Sequence, residues 1–186
     1  MAKKAKKESN LSFYIAVAAM VLLIYAISLV ASGSLLQLLL ILAGAFALFA
    51  SATMSKQRVL QALELIIVVG IVLGILKAWY IYSLITILAV AAIMVAYLFS
   101  IEHYKKEPIG SVGSIGFILM AIGFAFDNGS FPLVTGFSLA SGAILIAIYS
   151  ITAYWMYKIK LQIVIAVLNV IFAISPLIMF LNAAGL

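Results

Sequence analysis

Seven apolar runs, each close to the length of a membrane crossing, account for about three quarters of the chain. They cover residues 11–32, 35–54, 59–76, 84–101, 110–126, 133–157 and 161–181. A helix needs roughly 20 such residues to cross a hydrocarbon core about 30 Å thick. The expected fold is therefore an all-α integral membrane protein with seven transmembrane helices. Composition agrees: 68% of residues are hydrophobic and 9% charged, against about 45–50% and about 25% in soluble domains.

The polar residues fall between these runs. Residues 1–10, MAKKAKKESN, form a basic tail with Lys3, Lys4, Lys6 and Lys7 and too little apolar content to fold alone. The run that follows has 22 residues, longer than a signal-peptide core of about 7–15, so it reads as a retained anchor. Cleavage within 31–33 is the alternative, and it would leave six spans in the same orientation. In the second run Ala43, Ala47 and Ser51 recur every fourth residue, a spacing of small side chains that lets helices approach closely. The stretch AWYIYS at 78–83 and the Tyr/Trp-rich end of the sixth run suit a membrane interface. Glu102 and Lys106 have the spacing and order of a helical ion pair, and Pro108 should stop a helix. In the last run Pro176 removes one helix hydrogen bond.

Charge sets the orientation. With the N-terminus in the cytoplasm, ten of the eleven Lys and Arg residues lie on that side, and only Lys77 lies outside. The positive-inside rule then gives N-in and C-out. The basic loops near 56, 105 and 158 recur about every 50 residues, which parses the chain as one anchor helix plus three helical hairpins. The net charge of +6 sits in short clusters between spans, so nucleic acid is not an expected partner. The expected location is the plasma membrane, multi-pass, with a basic cytoplasmic tail.

Candidate functional residues are few. Glu64 is the one Asp, Glu, Lys, Arg or His inside an apolar run. It lies five residues past Val59, or roughly 7–8 Å along a helix, nearer the cytoplasmic side than the midplane. Two readings stand. An ionisable group within the bilayer is by default a proton or cation site; alternatively Glu64 pairs with Lys56, Arg58, Lys158 or Lys160, or bonds Gln61, as a packing contact. Gln162 and Asn169, seven residues apart and on one face, either bond a neighbouring helix or line a polar path with Glu64. Gly70 and Gly74 form a GxxxG pair, and Gly113, Gly116 and Gly123 share roughly one face of their run with Gly110; both sets are expected to pack helices closely. Asn128-Gly129-Ser130 matches a glycosylation acceptor.

Several chemistries drop out. The absence of cysteine excludes disulfides, thiolate metal sites and cysteine-ligated clusters. A lone His103 beside Glu102 does not make a metal or haem site, so no metal or cofactor is expected. No phosphate-binding loop, HExxH or Ser/His/Asp set occurs, and the loops leave no room for an extramembrane catalytic domain. The expectation is a non-catalytic protein in contact with lipid and with other membrane subunits or further copies of itself, as an accessory or scaffold component. The alternative is a small proton- or cation-coupled transporter built on Glu64 with Gln61, Gln162 and Asn169.

Overall fold

The computed structural model describes residues 10–29, 34–127 and 131–186. Every regular element among them is helical: α1 (Asn10–Leu29), α2 (Leu35–Met54), α3 (Arg58–Ile75), α4 (Tyr80–Ser100), α5 (His103–Lys106), α6 (Gly110–Ala125), α7 (Pro132–Tyr157) and α8 (Lys160–Ala184). Residues 1–9, the candidate cleavage stretch 31–33 and the acceptor at 128–130 lie outside the described residues. Six helices, α1 to α4, α7 and α8, are long and apolar enough to cross a membrane. The expected fifth span is a shorter apolar helix of 16 residues, α6, rising about 24 Å. Pro108 and the turn at Phe126 and Asp127 bound it.

The helices reverse on charged residues where glycine is usual. Lys56, Lys77, Glu102 and Lys158 all have positive φ, between 48° and 56°, a conformation that costs an L-residue roughly 1–2 kcal/mol. After α2 the Lys56 N–H bonds Thr53 O and the Gln57 N–H bonds Ala52 O; after α3 the Lys77 N–H bonds Gly74 O and the Ala78 N–H bonds Leu73 O. These paired bonds satisfy carbonyls that a helix end would otherwise orphan. Lysine at these turns also puts an ammonium beside the negative end of the helix dipole. At the start of α2 the Ser34 hydroxyl accepts from the Gln37 N–H at 3.2 Å.

One expected boundary moves. The fourth helix begins at Tyr80, not near 84, because part of the aromatic stretch is its first turn: Tyr80 rests against the Phe126 and Phe131 rings, with centroids 6.5 and 5.5 Å away. The chain then turns at Glu102 into the single turn α5, and the Glu102–Lys106 pair forms at 3.4 Å on the surface, where such pairs contribute at most about 1 kcal/mol. α8 runs on through Pro176.

Packing closes a ring. In order, α1 packs on α2, α2 on α3, α3 on α6, α6 on α7, α7 on α8, and α8 back on α1. α4 packs on α3 and α6 from outside the ring and leaves most of its apolar surface exposed. Across the α1–α2 seam Ser51 Oγ donates to Ser12 O at 2.7 Å and Ser55 Oγ to Ser12 Oγ at 2.9 Å. Of the expected Ala43, Ala47, Ser51 row on α2, Ser51 is buried, Ala47 half-buried and Ala43 exposed; the rest of the close face is Gly44, Ala45, Leu48 and Ala52. Small side chains at four-residue spacing permit contact, but the neighbour's position decides which face is used.

Candidate functional site

Inside the ring lies a void of about 40 Å³ to which all six ring helices contribute. Its lining is hydrocarbon except for two residues, Glu64 of α3 and Asn169 of α8. Both are buried, at 3% and 6% exposure. Glu64 makes no hydrogen bond or ion pair among the described residues, so the expected pairing with Lys56, Arg58, Lys158 or Lys160 is not formed. The reason is geometric: those side chains leave at the helix ends, whereas Glu64 lies nearly two turns into α3 and turns toward the ring axis. Asn169 does not bond a neighbouring helix either. Its Nδ2 donates to Ile165 O at 2.8 Å, one turn back in α8. An amide nitrogen is the only side-chain atom that can make that bond, so Oδ1 is left as an acceptor.

The other two sequence candidates go elsewhere. Gln61 lines an outer depression with Phe49, Arg58, Ala62, Leu65, Met94 and Tyr97, between α2, α3 and α4. One turn of α3 separates Gln61 from Glu64, and the net offset of about 60° at 100° per residue is enough to turn Gln61 to the outer depression while Glu64 lines the central void. Gln162 lies at the end of the ring where the basic loops gather. There a cavity of about 360 Å³ is lined by Lys56, Gln57, Arg58, Glu107, Tyr149, Tyr157 and Gln162 among others. Gln162 Nε2 donates to Gln57 Oε1 at 3.3 Å, while Gln162 Oε1 is buried without a partner among the described residues. Tyr149, only 2% exposed, interacts through its hydroxyl with Glu107 and Gln162.

A third void, of about 20 Å³, lies at the opposite end of the ring. Gln37, Asp127, Ser175 and Pro176 line it, and it shares the walls Ile27, Ile41, Phe124 and Phe172 with the central void. Burial raises the Asp127 carboxyl above its ordinary value of 3.8. Along the axis the ring thus holds three polar levels, each with one carboxyl and at least one carboxamide: Glu107 with Gln57 and Gln162, Glu64 with Asn169, and Asp127 with Gln37.

The glycines set how the ring helices meet. A Cβ at Gly70 would collide with the Ala121 backbone of α6, and one at Gly74 with the Phe124 carbonyl, so the GxxxG pair is an α3–α6 contact within the chain. On its other side α6 meets α7 through Gly116 and Gly123, which abut Gly142, Ile146 and Leu139. Gly113 has a further consequence. The Tyr149 ring occupies the space its side chain would take, which holds the Tyr149 hydroxyl over the basic-end cavity.

Sequence reasoning did not single out Glu107, Tyr149, Gln57 or Asp127. Glu107 lies in a segment that reads as hydrated, and Tyr149 in a run whose tyrosines otherwise fit an interface. A carboxylate directly before a proline, at the turn into the fifth apolar run, was the one available signal. His103, beside this turn, is buried as well. The left-handed turn at Glu102 folds it against Gly110, with Nδ1 3.7 Å from Glu107 Oε2 and Nε2 buried without a partner among the described residues. Burial lowers its imidazole below 6.5. A base depressed in the folded state leaves stability intact above the unfolded value and removes it as pH falls from there toward the folded value. Thermal unfolding in detergent should therefore show stability declining as pH drops below about 6.5, and His103→Gln should flatten that decline.

Searches against protein-family models, curated sequences and solved structures return no match to this chain.

Proposed function

We propose that this chain is a plasma-membrane transporter whose substrate or coupling ion is a proton or small cation, bound at Glu64 with Asn169 inside the six-helix ring. In this reading α6 is a seventh span, shortened and packed against α3, α4 and α7, and the chain lies N-in/C-out. The cavity beside Lys56 and Arg58 then faces the cytoplasm and the Asp127 void faces outside. One observation carries the reading: Glu64 is buried in the ring without, among the described residues, the basic partner that a structural carboxylate would require. Keeping an unpaired carboxyl at this depth is costly, and function is the usual reason such a group persists.

Purified protein in liposomes, with an internal pH or cation indicator, should show gradient-driven flux. Glu64→Gln keeps the side chain's size and should reduce flux about a hundredfold or more, the scale of a positioned proton-transfer group, with an unchanged elution profile. Wild-type vesicles that carry no flux would remove the transporter reading. The accessory-subunit reading then gains, and it too has an observation behind it: α4, outside the ring, presents a broad apolar face on which a neighbouring subunit can pack.

A further inference from the structure

The polar groups of the ring lie in series along one axis, and their chemistry identifies the ion. We propose that the transported species is the proton, relayed between Glu107 at the basic end, Glu64 at the centre and Asp127 at the opposite end. This inference rests on the transport reading above and narrows it.

The central void limits what can bind there. Hard metal cations take about six or more oxygen ligands, and here, among the described residues, the side-chain oxygens offered are those of Glu64 and Asn169, within twelve apolar side chains. Water cannot make up the number. A water needs roughly 10–15 Å³ of such space, and about 40 Å³ is present, room for a few molecules and not for a hydrated metal ion. The polarity of the two groups points the same way. Asn169 Nδ2 spends one N–H on Ile165 O and keeps a second, so its carboxamide can donate to an ionised Glu64 or accept at Oδ1 from a protonated one. The pair can therefore hold Glu64 in either protonation state, which a proton carrier requires.

The end levels complete the route. Leu60, which lines the basic-end cavity, is one turn before Glu64, and Tyr149 is three residues after Ile146, which lines the central void. The gap is therefore of the order of one helical turn, about 5 Å. Over this stretch α3 and α8 carry Leu60, Leu63, Leu161 and Ile165, each at most 2% exposed. Rotamer changes in such a layer admit a transient file of water, enough for proton transfer and too narrow for a metal ion with its hydration shell. Toward the other end the central void and the Asp127 void already share four walls. Burial raises the Asp127 carboxyl, which suits a group that must hold and release a proton, and among the described residues no other titratable side chain lines that void. At the basic end Lys56, Arg58, Tyr149 and Tyr157 share the Glu107 cavity, and His103 lies behind it.

The test uses the full chain in liposomes containing a pH-sensitive dye, with an acid jump outside and sodium, potassium or choline in turn as the sole added cation. The proposal expects the same acidification rate in all three, about a hundredfold loss in Glu64→Gln, and clear losses in Asp127→Asn and Glu107→Gln. Partial rate in Glu64→Asp would separate loss of the carboxyl from loss of fold. Flux that requires sodium or potassium overturns the proton assignment while leaving a transporter. Loss in Glu64→Gln with full rate in Asp127→Asn and Glu107→Gln overturns the axial relay. Wild-type vesicles that carry nothing overturn this inference and the transport reading together.

Discussion

Glu64→Leu should make the protein more stable, by roughly 1–3 kcal/mol, the penalty of a buried polar group without a hydrogen-bond partner. The residue is 3% exposed, with no hydrogen bond or ion pair among the described residues, inside a void otherwise walled by aliphatic and aromatic side chains apart from Asn169. Leucine removes the desolvated carboxyl and adds apolar contact to the ring. Thermal or denaturant unfolding in one detergent, compared with wild type, reads the difference directly. The same substitution should abolish flux, so stability and activity move in opposite directions, as they do where a functional group is held at a cost to the fold. A loss of stability instead would mean that a partner holds Glu64, and would return it to the structural role that its nearness to the basic loops suggests.

The second large effect concerns the contact between α3 and α6. Gly70→Val and Gly74→Val should each cost about 1–3 kcal/mol, the usual penalty of overpacking, and the double variant should lose most of its folded yield. The obstacle at both positions is backbone: the Ala121 carbonyl and Cα for Gly70 and the Phe124 carbonyl for Gly74. A carbonyl within a helix cannot step aside without moving the helix. Gly44→Ala is the matched control. Its neighbour is the Leu23 side chain alone, which can change rotamer, so the penalty should be smaller. Folded yield and unfolding temperature after detergent extraction separate these cases, and equal losses at Gly44 and Gly70 would contradict the account.

Much of the architecture is legible one residue at a time. Apolar runs near 20 residues demand helices because a lipid-exposed backbone must bond itself, and six of the seven appear as helices of spanning length. The seventh shows the limit of run length as a guide: residues 110–126 are apolar enough, but Pro108 and the turn at Asp127 leave a helix of 16 residues. Gly70 and Gly74 were readable as a close contact, though not that the contact lies within the chain against α6. Glu64 was readable as the one ionisable group within a span.

What surrounds Glu64 was not readable, because sequence distance says little about distance across a bundle. Asn169 lies 105 residues away yet lines the same void, whereas Gln61, one turn away, lies outside the ring. Linear nearness to Lys56 and Arg58 suggested an ion pair that ring closure prevents. Helix existence and the isolation of one carboxylate follow from local composition, which the sequence states outright. Which faces turn inward depends on six helices meeting at once, through contacts such as Gly70 on Ala121 and Gly113 under Tyr149. Only that mutual fit places Glu107, Glu64 and Asp127 on one axis.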